Sequence, residues 1–305
     1  MHKILILGAS GFVGGRLAKA LLAEGYAVRC VARNPAKVAD LDAAGAQIVQ
    51  GDIADAASMM RAVEGMEAVY ISIHTISPQP NGAAGAGFMD IEIAGLENLL
   101  AACRAHGVRR LIYVTFLGVD AASPNVWVRR RARAEQLLLT SGLDATCIRP
   151  GQIVGRGGRG FGGMVVQARK RLAVTFSPGR QKMRNIAISD LLYYLIGVLE
   201  EPRAYGQAFD VGNDEVLTNN QMVDIVAAAQ GRRAPLKISA PRGLMILFSG
   251  PIERRMGLAR GTLKAALSSL GMDAVGDPLP IRALLPRPLL TYRQAVDRAL
   301  AEPAA

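Results

Sequence analysis

Residues 3–14 read KILILGASGFVG, an apolar run followed at once by a glycine-rich turn. A continuous apolar run of this length is typical of a strand that is buried on both faces. Glycines follow at positions 8, 11 and 14, and the apolar periodicity that begins at Phe12 is typical of a helix. A strand, a GxxGxxG turn and a helix in this order predict the opening βαβ unit of a dinucleotide-binding fold.

Each glycine of this turn has a physical role in the predicted unit. Gly8 permits the tight turn, Gly11 lets the backbone approach a pyrophosphate, and Gly14 lets the helix pack closely on the strand. The first turn of the helix supplies N–H groups and a partial positive charge. We therefore predict that the phosphates are bound by one segment, made up of Gly8, Ser10, Gly11, Phe12, Val13 and Gly14.

Strand and helix patterns alternate through the first half of the chain. Strands are predicted over 3–7, 27–32, 47–50, 68–73, 111–115 and 145–148, and helices over 12–24, 36–43, 55–64, 88–106 and 126–141. This alternation predicts an α/β fold with a doubly wound parallel sheet. We expect a dinucleotide-binding domain over residues 1–154. Residues 155–305 are expected to complete the sheet and to form a smaller substrate domain.

The Pro-, Gly- and Ala-rich segment 77–87 shows no periodicity. It follows the fourth predicted strand, so it should be a mobile loop at the carboxyl edge of the sheet. Ligands of open α/β sheets bind at that edge. This placement favours a ligand cleft beside the loop.

The residues after strand 2 indicate which dinucleotide is preferred. NAD-specific sites place a carboxylate there, which accepts hydrogen bonds from the ribose 2′-hydroxyl. This chain has Arg33 instead, whose guanidinium can bind a 2′-phosphate; the alternative is an exposed arginine without a ligand. NADP is therefore the predicted cofactor, with NAD as the alternative.

Three further residues are candidate contacts for the cofactor. Asp52 follows strand 3 and is expected either to accept from the adenine amino group or to cap the next helix. Ile53 comes directly after it. Ser72 lies at the end of the fourth predicted strand, on the edge of the sheet where ligands bind.

Charge is unevenly distributed along the 305 residues. Residues 1–150 contain 15 basic and 13 acidic side chains, whereas residues 151–305 contain 21 and 12. Such an excess fits an acidic ligand, an anionic membrane surface or a nucleic acid, or else solvated arginines. The apolar segment 244–248 lies between Arg242 and the basic residues 254–255, a pattern compatible with a membrane-surface helix or with a lid on the core.

We expect a small-molecule substrate, hydrophobic and in one interpretation acidic, with peripheral membrane contact as a further option and no nucleic-acid partner. Cys30, Cys103 and Cys147 are too few for a disulfide framework and are predicted to be reduced core residues. The three histidines are far apart in the sequence, and no metal site is predicted. The start of the chain lacks a signal-peptide pattern, so we expect a cytoplasmic protein, with membrane association left open.

Further sequence blocks resemble the atypical, or extended, short-chain dehydrogenase/reductases, and most closely their NmrA-like NAD(P)-binding group. The resemblance covers roughly residues 1–235. Besides the phosphate loop it rests on RNP at 33–35, GD at 51–52, YVT at 113–115, AE at 134–135, SGLD at 141–144, IRPG at 148–151, FDVG at 209–212 and LT at 217–218. It implies a doubly wound Rossmann fold, with Pro150 near the nicotinamide.

Catalytic members of this superfamily use a Tyr and a Lys four residues later, with a Ser or Thr at the end of strand 5. The Lys lowers the pKa of the phenol, so that Tyr can transfer a proton while the nicotinamide transfers hydride. The resemblance places Trp127 and Arg131 at the Tyr and Lys positions and Thr115 at the Ser or Thr position. An indole and a guanidinium cannot perform this proton transfer, and the chain contains no Tyr-x-x-x-Lys.

Arg131 belongs to a group of four arginines at 129, 130, 131 and 133 on one predicted helix. The group is expected to form a solvated face, to present Arg131 to the cofactor or an anionic substrate, or to bind a partner.

Two functions remain open. One is an NADPH-dependent reductase of a hydrophobic conjugated or quinone-like substrate, favoured by the basic second half and by the segment 77–87. The other is a non-catalytic dinucleotide-binding regulator or accessory subunit, favoured by the replacement of Tyr and Lys. The oligomeric state is open too.

Overall fold

The structure is a computed structural model that describes residues 2–73, 88–176, 179–240, 249–255 and 272–303. Its strands are β1 (Lys3–Leu7), β2 (Ala27–Ala32), β3 (Gln47–Gln50), β4 (Ala68–Ile71), β5 (Arg110–Val114), β6 (Asp144–Pro150), β7 (Gln152–Val154), β8 (Leu172–Phe176), β9 (Lys182–Ala187), β10 (Gln207–Val211), β11 (Val216–Thr218) and β12 (Leu236–Ala240).

Its helices are α1 (Phe12–Ala23), α2 (Ala39–Ala43), α3 (Ala56–Val63), α4 (Phe88–Ala105), α5 (Val126–Leu139), α6 (Arg159–Ala168), α7 (Ile188–Gly197), α8 (Asn219–Ala229), α9 (Ser249–Arg255), α10 (Leu279–Leu284) and α11 (Tyr292–Ala301). Short 3-10 helices lie at Pro35–Val38 and Pro202–Ala204.

The central sheet has seven strands in the order β10-β6-β5-β4-β1-β2-β3. Parallel pairing joins β1 to β2 and β4, β2 to β3, β4 to β5, and β5 to β6. The chain crosses from one side of β1 to the other between β3 and β4, which is the reversal that defines a doubly wound sheet. The predicted α/β fold with a parallel sheet is confirmed.

The predicted bounds of the first three strands agree with the structure, whereas later bounds differ. β5 begins at Arg110, one residue before the apolar run, because this arginine is itself buried. Its Nε donates to Leu199 O at 2.8 Å and its Nη1 to Thr146 Oγ1 at 2.9 Å. β4 ends at Ile71, and the predicted helix 36–43 is a 3-10 turn followed by the short α2.

The chain divides into two compact units. One contains residues 1–115, 119–148 and 192–208, and the other contains 116–118, 149–191 and 209–305. The division therefore does not follow a single boundary along the chain. A functional boundary at residue 154, with a substrate domain beyond it, stays a prediction.

The core of the first unit lies where α3 and α4 pack on the sheet. Leu96, Leu99 and Leu100 of α4 are almost fully buried there. Each such side chain contributes roughly 1.5–3 kcal/mol through burial. Cys30, Cys103 and Cys147 are also buried, as predicted, and burial raises the pKa of the Cys30 and Cys103 thiols to about 12.

In the second unit, a three-stranded sheet in the order β11-β9-β7 packs on α6, α8 and α11. This unit also contains a separate pair of parallel strands, β8 and β12. A mobile loop was predicted for the segment 77–87, and a lid on the core or a membrane-surface helix for the segment 244–248; both segments lie outside the described residues. Within the described residues, no helix is long and apolar enough to span a bilayer.

Candidate functional site

The turn between β1 and α1 needs glycine at two positions for the packing of the chain itself. Gly8 has a φ of +92°, a conformation that favours glycine, and a Cβ on it would lie 2.2 Å from the backbone oxygen of Ser72. A Cβ on Gly14 would lie 2.3 Å from the backbone oxygen of Gly8. Gly8 thus brings the turn against the end of β4, and Gly14 brings α1 against the turn.

Gly11 is different, because its backbone is extended at a φ of −88° and a ψ of 166°. A Cβ on Gly11 would meet only the oxygen of Gly8, at 3.1 Å, among described atoms within 4 Å beyond its chain neighbours. The described residues place no other atom beyond its chain neighbours within 4 Å of this Cβ. A side chain there would therefore mainly occupy volume that is open to a ligand.

The N-terminus of α1 has the properties of an anion site. Gly11 provides no side-chain cap, and the first turn contains no acidic residue. The N–H groups of Phe12, Val13 and Gly14 have no acceptor within the helix, because they belong to its first turn. The Arg16 guanidinium adds positive charge 5.8 Å from the centre of the Phe12 ring. These groups fit a pyrophosphate.

The connection after β2 carries no carboxylate over residues 33–39. Arg33 is exposed there. The first acid after β2 is Asp40, whose Oδ2 lies 2.7 Å from Lys19 Nζ, and the hydrogen bond from Lys19 lowers the pKa of the Asp40 carboxyl. Asp40 is therefore engaged with a cation of α1.

The residues after β3 are fixed by local hydrogen bonds. Asp52 Oδ1 accepts from the Ala54 N–H at 3.0 Å, and the Asp52 N–H donates to Ser58 Oγ at 3.0 Å. The alternative that Asp52 caps the next helix is wrong, since Asp55 caps α3 by accepting from the Ala57 N–H. A contact between Asp52 and adenine stays a prediction.

Ile53 lies between this connection and α4. A Cβ on Gly95 would come within 2.9 Å of the Ile53 side chain, so glycine allows the two segments to approach closely. Asn98 Nδ2 donates to Ile53 O at 3.2 Å. Ser72, at the end of β4, donates its N–H to Leu7 O at 2.9 Å and so continues the pairing of β4 with β1.

Thr115 and Glu135 form a buried pair at the end of β5. The Thr115 hydroxyl donates to Glu135 Oε1 at 2.6 Å, and the two residues are 3% and 2% exposed. The single hydroxyl proton is directed at the carboxylate. Thr115 Oγ1 can therefore accept a hydrogen bond from a ligand but has no proton left to donate.

Arg131 is fully buried and forms an ion pair with Glu92 of α4, which is also fully buried. Arg131 Nη1 donates to Glu92 Oε1 and to Tyr113 Oη, and the Tyr113 hydroxyl donates to Glu92. Burial raises the pKa of Tyr113 well above its ordinary value. Burial acts to lower the pKa of Arg131, but Tyr113 and Glu92 outweigh this and raise it.

The predicted solvated face of arginines is therefore wrong for Arg131, because Glu92 and Tyr113 hold its charge inside the protein. Arg129 and Arg133 are exposed, and Arg130 is half-buried. Trp127 is half-buried in the first turn of α5, where the side chain of Asn125 accepts its backbone N–H at 2.9 Å. Contacts of Trp127 or Arg131 with a ligand stay predictions.

A sequence profile of an NAD(P)H-binding family matches residues 8–174, which is more than half of the chain. The chain belongs to this NAD(P)H-binding family. The predicted resemblance to the atypical short-chain dehydrogenase/reductases is confirmed, as is an NAD(P) cofactor at the level of the family. The description of the family covers both NADP and NAD.

Two relatives show the range of proteins that this NAD(P)H-binding chain resembles. It is 32% identical over 143 residues to the photosystem II assembly factor Ycf39 of Cyanophora paradoxa, which covers 47% of this chain and 43% of that protein. It is 28% identical over 263 residues to the 2-alkyl-3-oxoalkanoate reductase of Stenotrophomonas maltophilia strain K279a, covering 75% and 76%. The chain thus spans less than half of the assembly factor.

Among solved structures, an NADPH-dependent quinone oxidoreductase of Escherichia coli matches with a TM-score of 0.73 and 21% identity. The match covers 97% of this chain and 99% of that one. At this identity the likeness concerns the fold alone.

The sequence did not predict the contacts of Glu92 with Arg131 and of Asn98 with Ile53, and Glu135 was quoted only as part of the resemblance, not as the partner of Thr115. Glu135 carried a signal, since it lies one helical turn after Arg131. Glu92 carried none, because its partners lie 21 and 39 residues away in the sequence. Pro150 ends β6, and its carbonyl accepts from the Leu117 N–H at 2.9 Å; its predicted place near the nicotinamide is untested.

Proposed function

We propose that this family member binds NADP(H) in preference to NAD(H). The proposal is supported by the exposed Arg33 and by the lack of a carboxylate at residues 33–39. A guanidinium can form charge-assisted hydrogen bonds with a 2′-phosphate, whereas NAD-specific sites use an acid to hold the 2′-hydroxyl. The N-terminus of α1 would hold the pyrophosphate, and Asp52 would contact the adenine.

We further propose that the protein is a reductase that works without a tyrosine acid. The observation that carries this is the buried Arg131–Glu92 pair, which keeps the residue at the Lys position away from proton transfer. When bound, NADPH supplies a hydride. Trp127 would form a wall of the pocket, and Thr115 would accept a hydrogen bond from the ligand.

The class of substrate follows from what these side chains cannot do. Reduction of an isolated ketone leaves an alkoxide that needs a nearby acid, and neither Trp127 nor Arg131 can provide one. A quinone or a conjugated enone spreads the new charge over its π-system, and its oxygen can take a proton from water. We therefore infer a conjugated, hydrophobic acceptor, in line with the quinone oxidoreductase fold match and with the reductase relative. The basic residues of the second half favour an acidic group on it.

A second function is favoured by a separate observation. The hydroxyl of Thr115, the third catalytic position, donates to Glu135 rather than towards a ligand. All three positions of the superfamily chemistry are thus replaced or engaged. This fits a protein that binds the dinucleotide without turnover, as a regulator or an accessory subunit.

Steady-state NADPH oxidation with a panel of quinones, enones and simple ketones distinguishes these functions. We expect turnover with conjugated acceptors and none with simple ketones. Oxidation of NADPH by ketones at a comparable rate would contradict the absence of a general acid. If calorimetry shows that the protein binds NADPH, but no acceptor of the panel supports NADPH oxidation, the non-catalytic function is the correct one.

A further inference from the structure

β8 and β12 form a two-stranded parallel ribbon in the second unit, which we call the β8–β12 ribbon. Leu172 lies opposite Leu236, and Ala173 lies opposite Lys237. Side chains alternate between the faces of a strand, so Leu236 and Ile238 share one face and Lys237 belongs to the other. The two faces have different surroundings.

One face of the ribbon is covered by the protein. Lys237 Nζ donates to Asp224 Oδ1 of α8, and Ala173 is fully buried. The opposite face is open: Leu172 is 44% exposed, Leu236 70% and Ile238 49%. Single exposed leucines are ordinary, but three branched aliphatic side chains on one face make an apolar patch, and such patches mark interaction sites.

Basic residues gather at one end of this patch. Because the two strands are parallel, the segments that precede them reach the same end of the ribbon, and both are basic. Arg169, Lys170 and Arg171 precede β8, and Arg232 and Arg233 precede β12; all five are exposed. Arg232 Nη1 donates to Arg169 O at 3.1 Å, and the Leu236 N–H donates to Arg171 O at 3.0 Å, so the two segments are in contact.

The surrounding sequence does not neutralise this charge. Residues 151–189 and 225–252 together contain twelve Lys and Arg and no Asp or Glu. Asp224, which contacts the ribbon from α8, is paired with Lys237 on the covered face. The positive excess of the second half therefore includes a cluster beside an apolar face.

We propose that the β8–β12 ribbon docks the protein on an anionic lipid surface. Lipid headgroups would meet the five basic residues, and Leu172, Leu236 and Ile238 would enter the boundary between headgroups and acyl chains. The combination favours lipid over nucleic acid, because single strands stack on aromatic side chains, whereas the three side chains described as exposed on the open face are aliphatic. It also favours lipid over an acidic protein, since a bilayer supplies anionic and apolar layers side by side. The inference does not depend on the proposed reductase activity.

Co-sedimentation of the full chain with vesicles tests this proposal. We expect binding to phosphatidylcholine vesicles that contain about 30% phosphatidylglycerol, because an anionic surface attracts the five basic residues. Binding should weaken with salt and be absent on pure phosphatidylcholine.

Two sets of substitutions in the β8–β12 ribbon test which side chains bind the vesicles. Leu236→Ser combined with Ile238→Ser should lower binding at least tenfold, because each substitution removes an apolar side chain that the bilayer would bury. Lys170→Gln, Arg171→Gln and Arg233→Gln together should lower it by about fivefold per charge.

Matched control variants separate the ribbon from general surface effects. Met60→Ser with Leu279→Ser removes two exposed apolar side chains elsewhere, and Lys3→Gln, Arg61→Gln and Arg133→Gln remove three exposed charges of the first unit. Both controls should bind vesicles like the parent. Dinucleotide binding, unchanged in all four variants, reports that the fold is intact.

Three outcomes would overturn the proposal. The first is the absence of binding to anionic vesicles. The second is an equal loss of vesicle binding in the ribbon variants and in the control variants. The third is a concentration-dependent dimer in sedimentation velocity that Leu236→Ser abolishes while vesicles fail to bind, which would assign the ribbon to contact between two copies of the chain.

Discussion

The phosphate loop and the β5–α5 region differ in whether their polar groups are directed at a ligand or engaged within the protein. In the loop, Gly8 and Gly14 serve the packing of the chain, whereas the described residues leave the space before Gly11 open and provide no side-chain cap for the first turn of α1. In the β5–α5 region, Arg131 is paired with Glu92, and Thr115 donates to Glu135. Dinucleotide binding depends on backbone geometry, which this chain has, while proton transfer depends on side chains that it has replaced.

The largest expected effect of a substitution is on the free energy of unfolding, and it tests whether Arg131 is held by Glu92. Arg131→Ala leaves the buried Glu92 carboxylate without its cation, so we expect the free energy of unfolding to fall by about 3–5 kcal/mol. Urea unfolding of the parent and the variant measures this. Arg133→Ala, an exposed arginine on the same helix, is the control and should change stability by about 0.5 kcal/mol or less.

A ligand-binding role for Arg131 makes a different prediction. If its charge acted mainly on the cofactor, Arg131→Ala would keep its urea midpoint and lose dinucleotide affinity. Glu92→Gln combined with Arg131→Met removes both charges of the pair, and it should be more stable than Arg131→Ala alone.

The second effect concerns Gly11. Gly11→Val should weaken dinucleotide binding at least 100-fold, about 2.7 kcal/mol, because the side chain enters the open space of the loop. Circular dichroism should remain native, since among the described atoms beyond its chain neighbours only the Gly8 oxygen lies within 4 Å of the new Cβ. Gly14→Ala is the matched comparison, and it should destabilise the fold by about 1–3 kcal/mol, because its Cβ would lie 2.3 Å from backbone. Undiminished binding by Gly11→Val would show that the phosphates bind elsewhere.

A smaller effect tests the choice of cofactor. The parent should bind NADPH at least tenfold more tightly than NADH, a difference of ~1.4 kcal/mol, and Arg33→Ala should reduce this ratio towards one. Titration calorimetry with both cofactors measures the ratio. Lys37→Ala, an exposed cation on the same connection, serves as the control for general charge. Equal affinities in the parent would remove Arg33 from the site.

The smallest expected effect is at the position of the missing tyrosine. Trp127→Phe should leave turnover with a conjugated acceptor within about threefold, because an indole does not supply the proton. Turnover and apparent affinity must be read separately, since a change of the pocket wall acts on affinity. A collapse of turnover with intact NADPH binding would give the indole a part in the chemistry.

The sequence predicted the parts of the molecule that rest on local pattern. The bounds of β1, β2 and β3 and the glycine turn at 8–14 follow from short-range periodicity and from backbone sterics, which a sequence displays directly. The resemblance to the short-chain dehydrogenase/reductases implied the replacement of Tyr and Lys by Trp127 and Arg131, and this stays a prediction.

The contacts that join distant segments could not be predicted. Three positions were left open for Arg131, namely a solvated face of arginines, a face towards the cofactor or an anionic substrate, and a partner surface. The structure buries it because Glu92, on a different helix, supplies the opposite charge. Arg110 is a similar case, because its buried side chain donates to the carbonyl of Leu199, 89 residues away.

The ion pair inside the first unit also limits how this chain can change. A tyrosine–lysine pair would require both Trp127→Tyr and Arg131→Lys. The first substitution alone gives a phenol beside a guanidinium already committed to Glu92, and the second places a shorter cation between Glu92 and Tyr113 in a space shaped for arginine. Each single step changes packing without giving proton transfer, so the tyrosine-dependent chemistry is hard to regain one substitution at a time.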